Sequence, residues 1–354
     1  MRAVSFVILL LSASTALSAP RVVIGVADVD GDATALLAVP LGKGEARPVG
    51  SLRHPRGDTP IGVLVDDDRL AVVMPAHGDL VLKHLVTGEE HTLATGLMRN
   101  QRPQLLLTPR GPGLVAVRAG DGDDAFDVVG IAPIDDRAGV DVLTSVTAGW
   151  LSLVPVAVPS STVTASTALL SFDTPKARGI AQLQRLSGDG HVVDGVPLGT
   201  GSFRNGVARL DGSLLIEREG DDGHVGPRRS SVVAVPADAR DLKGAQTVTT
   251  GLAGLSPIVS GARAAMATGS KDGSILVDVG DGRGFSRWPG ARVGQARPQF
   301  ISEVGGEIVV VVLVARGQQL PSELWALTKK GGRLLLAPPS GRVITVYGVS
   351  GAAR

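Results

Sequence analysis

The stretch PIGVLVDDDRLAVVMPAHGDLVLKHLVTGEEHTLATG, at residues 60–96, contains four short apolar or alternating runs separated by turn residues. Runs of four to six residues with this alternation are typical of strands in an antiparallel sheet. Asp, Gly and His residues between the runs favour tight turns. The stretch therefore predicts one four-stranded unit. Its runs lie at residues 61–65, 70–74, 80–85 and 91–94, with turns at 66–68 and 77–79.

A second stretch further along the chain has the same organisation. Its four runs lie at residues 205–210, 213–217, 231–235 and 246–249. No window keeps a helical period for more than about three turns. Short helical pieces are expected only near residues 236–242 and 322–329. The sequence therefore predicts an all-β chain.

A β-type run followed by a Gly recurs along the chain at intervals of roughly 50 residues, the spacing of repeated four-stranded units. A second recurrence supports the first, because Arg102-Pro103-Gln104 and Arg297-Pro298-Gln299 each open a run, a turn and a strand. Seven glycines mark the repeat: Gly50, Gly96, Gly149, Gly201, Gly251, Gly294 and Gly341.

These repeats predict a seven-bladed β-propeller of four-stranded antiparallel blades. One blade is too small to bury its faces alone, so neighbouring blades must supply the apolar contacts. Residues 21–50 have room for only three strands, whereas residues 342–349 form a spare strand. We expect this C-terminal strand to pair with the first blade and close the ring. A pair of β-sandwich domains is the alternative.

The first 18 residues have the layout of a secretory signal peptide. Arg2 precedes an apolar run at residues 4–11, and Ala16 and Ser18 supply the small side chains that favour cleavage after Ser18. We therefore expect a single propeller domain at residues 19–354. The predicted location is periplasmic or extracellular, without a lipid anchor, because the chain has no Cys.

Composition and charge exclude several classes of function. The absence of Cys removes disulfide scaffolds, zinc ribbons and thiol nucleophiles. Cleavage would remove one Arg and no acid, so 35 basic residues become 34 against 34 acidic residues. A neutral chain without a basic stripe is a poor nucleic-acid binder. The apolar runs after the leader are too short to span a membrane, so we expect no integral membrane segment. We also expect the protein to be a monomer.

The chain resembles secreted bacterial β-propellers of the TolB-like and WD-repeat-like kind. Blades of these families often carry a Ser-Pro-Asp-Gly turn before an apolar strand, and the nearest matches here lie at residues 108–111, 210–212 and 270–273. TolB-like proteins also have an additional α/β domain, for which this chain has no space. The resemblance implies a scaffold that binds other molecules and does not name them.

The sharpest local signal is DVDGD at residues 28–32. Alternating carboxylates around a Gly can wrap calcium, which takes six to eight oxygen ligands. Asp28, Asp30 and Asp32 are therefore the candidate metal ligands, in a loop similar to the calcium loops of integrin-type FG-GAP propeller repeats. Leu36 stands where that pattern places a further Asp. The alternative is an Asp-Gly hairpin with solvated carboxylates.

Other candidate sites in the sequence are weaker. Four Asp residues form a second acidic cluster with a different spacing, at 121, 123, 124 and 127. His77, His84 and His91 lie seven residues apart, a step that reverses the face of a strand and disfavours zinc ligation. No G-x-S-x-G elbow is present. The glycines at residues 280–284 lack the spacing and the helix of a phosphate loop, which favours a hairpin turn.

The first functional hypothesis is an exported, non-catalytic scaffold whose loop-bearing face binds a protein or a cell-envelope component. The polar loop EGDDGHVGPRR at residues 219–229 is the best candidate for a protruding contact. One alternative is a propeller hydrolase or lyase that uses carboxylates near the central channel. Another is a calcium-stabilised adhesion module, and no cofactor is otherwise expected.

Overall fold

The structure is a computed structural model that describes most of the chain from Pro20 onward. The described residues are 20–108, 111–132, 134, 139–148, 151–154, 168–174, 177–186, 192–200, 202–208, 214–219, 229–236, 246–252, 258–260, 263–267, 272–278, 285–290, 294–315, 320 and 322–351. All regular elements within these ranges are β-strands, which confirms the all-β prediction.

The strands form four-stranded antiparallel sheets, which we call A to G. Sheet A contains β1 (Arg21–Asp28), β2 (Ala33–Pro40), β3 (Arg47–Arg53) and the last strand of the chain, β28 (Arg342–Ser350). Its order is β28-β1-β2-β3. The C-terminal strand therefore pairs with β1, as the sequence predicted for residues 342–349.

Each remaining sheet consists of four consecutive strands in chain order. Sheet B contains β4 (Ile61–Leu64), β5 (Arg69–Met74), β6 (Asp79–His84) and β7 (Glu90–Ala94). Sheet C contains β8 (Gln104–Thr108), β9 (Gly111–Ala119), β10 (Ala125–Ala132) and β11 (Gly139–Thr147). Sheet D contains β12 (Leu151–Val154), β13 (Ala168–Thr174), β14 (Ala177–Leu186) and β15 (Val192–Thr200).

The second half of the chain continues this pattern. Sheet E contains β16 (Ser202–Ala208), β17 (Leu214–Glu219), β18 (Arg229–Val235) and β19 (Gln246–Leu252). Sheet F contains β20 (Ile258–Ser260), β21 (Arg263–Ala267), β22 (Ile275–Asp278) and β23 (Phe285–Trp288). Sheet G contains β24 (Gln295–Val304), β25 (Glu307–Ala315), β26 (Glu323–Thr328) and β27 (Gly331–Leu336).

The sequence predictions for individual strands are confirmed in sheets B and E, where all four expected runs form strands. The helical piece expected near residues 322–329 is wrong. This segment forms β26, which pairs with β25 on one side and β27 on the other. Neighbouring strands therefore outweigh the weak local helix preference. Of the other expected helical piece, residues 237–242 lie outside the described part.

Apolar side chains of one sheet pack against those of the next. Strand β25 shows the consequence, because nearly all of its residues are buried and its apolar run is continuous. Six pairs of neighbouring sheets each share a cluster of buried apolar residues. The following list gives one buried residue from each sheet of a pair: Val23 and Leu64 for A and B, Val73 and Val129 for B and C, Val117 and Leu153 for C and D, Leu215 and Met266 for E and F, Val277 and Val312 for F and G, and Val311 and Ile24 for G and A.

A β-bulge recurs in the outermost strand of six sheets in the described part of the chain. At each bulge one extra residue is left unpaired, and in every case it is an aliphatic residue. The six residues are Val49, Leu93, Leu143, Leu198, Val248 and Leu335.

Four of the bulge residues contribute to the packing between sheets. Leu93 is a buried member of the cluster between sheets B and C, and Val49, Leu143 and Leu335 pack against the clusters beside their own sheets. A bulge also twists an exposed edge and lowers its tendency to pair with another chain. The bulge at Val49 directly precedes Gly50, the first glycine of the sequence repeat.

A second recurring feature is a backbone hydrogen bond that holds the segment linking one sheet to the next, which we call the link. After the outermost strand, a link amide donates to a carbonyl in the turn between the two middle strands of the same sheet. The bonds are His54 N to Asp32 O at 2.9 Å, Leu97 N to Gly78 O at 2.8 Å, and Ala148 N to Asp124 O at 2.9 Å.

Two of the three turn residues in these bonds occupy an unusual backbone conformation. Gly78 and Asp124 have φ values of 69° and 59°, a left-handed region that favours Gly. Gly273 occupies the corresponding turn of sheet F with a φ of 68°, and a Cβ on Gly290 of the following link would lie 2.1 Å from its carbonyl carbon. The backbone of each of these links therefore lies in direct contact with the backbone of the turn.

Substitution of Gly78 tests this contact, with Gly88 as the matched control. Both glycines have positive φ, but a Cβ on Gly78 would lie 2.1 Å from Leu97 O, whereas a Cβ on Gly88 would meet nothing within 4 Å. Gly88→Ala should lower the free energy of unfolding by about 1 kcal/mol from backbone strain alone. Gly78→Ala should cost clearly more, because the link must also move. Equal losses in chemical denaturation would contradict the proposed role of the contact.

Candidate functional site

The links and the turns that bind them lie at one end of the sheets, which we call the link face. It is defined by the turns at residues 29–32, 75–78 and 120–124 and by the links at residues 54–60 and 95–103. The hydrogen bonds between turns and links hold this face in place. Loops with such fixed roots are where binding residues are commonly found.

The three predicted calcium ligands lie on the link face. Asp28 ends β1, and Asp30 and Asp32 lie in the turn to β2, where Gly31 N donates to Asp28 O at 2.9 Å. The Asp28 carboxylate accepts a hydrogen bond from Arg342 Nε at 2.9 Å. The structure therefore brings the three residues into one tight turn, with Asp28 already paired to a cation.

Hydrogen bonds to its backbone carbonyls tie this turn to the link at residues 54–60. Arg56 Nε donates to the Asp30 carbonyl at 3.0 Å, and Gly57 N donates to the Gly31 carbonyl at 3.1 Å. Behind the turn, the buried Thr34 hydroxyl and His54 Nε2 share a hydrogen bond of 2.9 Å. The carbonyl oxygens of the turn are thus largely occupied by protein donors.

The second acidic cluster divides between a turn and a strand. Asp121, Asp123 and Asp124 lie in the turn from β9 to β10 on the link face. Asp127 lies within β10, where it accepts hydrogen bonds from Ser145 Oγ at 2.6 Å and from Arg118 at 3.1 Å. The Ser145 hydrogen bond lowers the pKa of Asp127 most, burial opposes it, and the hydrogen bond and charge of Arg118 keep the pKa below its ordinary value.

The three histidines do not form one cluster. His77 lies in an exposed turn on the link face, whereas His84 ends β6 at the opposite end of the sheet. The rings of His84 and His91 contact edge to face, with centroids 6.1 Å apart. Across the described residues, no three His, Asp or Glu side chains are placed to hold one metal ion.

We call the first strand of each sheet its entry strand, and the entry strands of most neighbouring sheets contact one another. Contacts join β28 to β4 and β24, and join the entry strands of sheets D, E, F and G in sequence. A Cβ on Gly348 of β28 would lie 2.5 Å from the Leu64 Cβ of β4. Only a residue without a side chain allows this approach between entry strands.

Arg102 is a cation on the entry strands that sequence analysis did not single out as a site residue. It precedes β8 and reaches sheet A, where its Nη2 donates to the Val346 carbonyl of β28 at 2.5 Å. Burial lowers the pKa of Arg102, and the nearby Tyr347 acts in the opposite direction. The signal for it in the sequence is the Arg-Pro-Gln recurrence, which indicates a repeat and carries no information about burial.

Tyr347 lies beside Arg102 and is fully buried. Burial raises its pKa because the phenolate would be poorly solvated. Its hydroxyl donates to the Pro60 carbonyl at 3.2 Å, at the start of sheet B. Arg102 and Tyr347 therefore connect the entry regions of sheets A, B and C.

The two Arg-Pro-Gln motifs share a local geometry. Gln104 Nε2 donates to the Arg102 carbonyl at 3.3 Å, and Gln299 Nε2 donates to the Arg297 carbonyl at 3.3 Å. The repeat in sequence is thus a repeat in structure. The environments differ, because Arg297 is exposed whereas Arg102 is half-buried.

The opposite end of the sheets carries a different polar cluster. Burial alone would raise the pKa of Asp66, but hydrogen bonds from the amides of Asp68 and Arg69 and from the Arg69 side chain lower it overall. Arg69 Nη1 also donates to the Ile134 carbonyl at 2.6 Å. This cluster therefore joins sheets B and C and has the character of a structural tie.

No protein-family model and no curated protein matches the sequence. Solved structures match the fold at low identity. TolB from Acinetobacter baumannii is 16% identical with a TM-score of 0.50, over 78% of this chain and 65% of that chain. This chain thus spans slightly less than two thirds of that protein. It has a TolB-like β-propeller fold.

Two further structures match over nearly the whole chain. A hypothetical selenium-binding protein from Sulfolobus tokodaii is 10% identical with a TM-score of 0.57, over 95% of each chain. A functionally unknown protein from Desulfotomaculum acetoxidans is 10% identical with a TM-score of 0.55, over 92% of this chain and 98% of that chain. At these identities the likeness concerns the fold alone.

Two of the predicted segments fall partly or wholly outside the described residues. These are the loop at 219–229, of which only Glu219 and Arg229 are described, and the glycines at 280–284. Within the described residues, no helix is long and apolar enough to cross a membrane.

Calcium binding by Asp28, Asp30 and Asp32 stays a prediction with a direct test. Calcium would have to displace Arg342 from Asp28, and such binding should raise the melting temperature in millimolar calcium relative to EDTA. Asp32→Asn should abolish the rise, whereas Asp68→Asn, an exposed residue at the opposite end, should retain it. The same melting temperature in calcium and in EDTA would leave the Asp-Gly hairpin as the explanation of the motif.

Proposed function

We propose that the sheets are seven blades of a closed ring spanning residues 19–354. Three observations support closure: the pairing of β28 with β1, the apolar cluster shared by sheets G and A, and the contacts among entry strands. The described ends also meet, because Arg21 Nε donates to Ser350 Oγ at 2.9 Å. A closed ring removes the open sheet edges that would otherwise promote aggregation.

We further propose that the protein is exported and acts as a non-catalytic scaffold for a protein or an envelope component. Residues 1–18, the proposed signal peptide, lie outside the described residues. The observation that carries the binding role is the link face, where backbone bonds fix turns that present exposed acidic side chains. Such a surface suits rigid presentation, in which binding requires little ordering of the loops.

A circular permutant tests ring closure. The permutant joins residue 351 to residue 20 by a short linker and opens the chain between Lys43 and Gly44, in an exposed turn. It should fold with a melting temperature within a few degrees of the parent. Deletion of residues 342–354 should abolish the cooperative transition, because β1 loses its partner. A deletion variant that melts like the parent would contradict closure.

Charge reversal on the link face tests the binding role. Asp30→Lys, Asp121→Lys and Asp123→Lys change exposed turn residues, and Glu45→Lys is the matched control on an exposed turn at the opposite end. A partner captured from the envelope fraction is purified, and its binary affinity is measured for each variant. Link-face variants should weaken binding about tenfold or more while the control keeps it. Equal affinities for all variants would locate the partner elsewhere.

A further inference from the structure

Arg102 is half-buried, and its guanidinium has one hydrogen-bond acceptor in the described part of the chain, the carbonyl of Val346. No described carboxylate forms an ion pair with it. The neighbouring Tyr347 does not neutralise it, because the phenol is buried, protonated and donates to Pro60. The group therefore keeps a full positive charge beside a carbonyl that supplies no negative charge.

A half-buried cation without a carboxylate partner lowers the stability of the folded state, and Arg does not avoid this by losing its proton. A buried Lys can lose its proton, whereas Arg stays protonated in proteins. Arg carries five N–H donors in a planar fork, and one bond to Val346 leaves most of them available. The Val346 carbonyl holds the group in place, so its remaining donors are already oriented.

Two other half-buried arginines in the described chain bind carboxylates, whereas Arg21 donates to the Ser350 hydroxyl and the Asp67 carbonyl. Arg69 binds the Asp66 carboxylate at 2.6 Å, and Arg118 binds the Asp127 carboxylate at 3.1 Å. Arg333 offers a different comparison, because its Nη2 also donates to a carbonyl of the next sheet, that of Leu41, but the residue is exposed. Water can solvate the charge of Arg333, whereas burial reduces that option for Arg102.

We propose that Arg102 is an anion-binding residue that takes a carboxylate group, at the end of the entry strands near the link face. Guanidinium and carboxylate are complementary planar groups that form two parallel hydrogen bonds. One cation matches one carboxylate, whereas a phosphate dianion would need a second cation, and Arg297 belongs to a different sheet. The assignment rests on Arg102 itself and not on the proposed display role.

Fluorine NMR of trifluoroacetate provides the test in the full-length folded protein at constant ionic strength. The wild-type protein should broaden the trifluoroacetate line, and acetate should reverse the broadening at lower concentration than chloride or inorganic phosphate does. Arg102→Gln should weaken binding about tenfold, the value of a charged hydrogen-bond pair. Arg333→Gln, which removes a similar link to a carbonyl, should leave the broadening unchanged.

Each outcome decides the proposal. Equal broadening by wild type and Arg102→Gln, or none by wild type, would overturn it and leave Arg102 as a clamp between sheets C and A. Stronger competition by phosphate than by acetate would overturn the carboxylate assignment. If Arg102→Gln does not fold, Arg102→Lys serves in its place, because it keeps the charge and loses the fork. Unchanged binding by that variant would also overturn the proposal.

Discussion

Packing of one sheet on the next is the interaction on which the rest of this structure depends. A four-stranded sheet of short strands cannot bury both of its faces, and strands such as β25 are apolar on both. Sheet G is therefore stable only between sheets F and A, to which it contributes Val312 and Val311 respectively. The same requirement explains why sheet A borrows β28 from the end of the chain, since residues 21–53 provide only three strands.

The sequence predicted the strands well, because alternation and turn residues report directly on short antiparallel strands. All four runs in residues 60–96 form strands, and the spare C-terminal strand pairs with β1. The failure at residues 323–328 has a clear cause, since local helix preference carries no information about two neighbouring strands. The recurring glycines indicated a repeat, whereas edge bulges such as that at Leu93 are visible only in the pairing register.

The candidate site was less predictable. Asp28, Asp30 and Asp32 were chosen for their spacing, which says nothing of Arg342, more than three hundred residues away in sequence, that binds Asp28. Arg102 was overlooked for the same reason, because its significance depends on Val346 and Tyr347 at the other end of the chain. A single sequence identifies residue types and local order. It does not identify which charges burial leaves without a partner, and such charges are what distinguish a binding residue from a solvated one.

Rigidity and charge are combined differently at two places in this molecule. On the link face, backbone bonds such as that from Leu97 to Gly78 fix the turns, and the side chains carried by the neighbouring turns remain exposed and replaceable. At the entry strands, the charge of Arg102 is itself part of the connection between sheets, so its substitution affects both binding and architecture. Exposed side chains of the surface turns can therefore be substituted with little loss of stability. An anion bound by Arg102, in contrast, would stabilise the contact between sheets C and A. An anion that binds Arg102 only in the folded protein would then raise the stability of the fold as a whole.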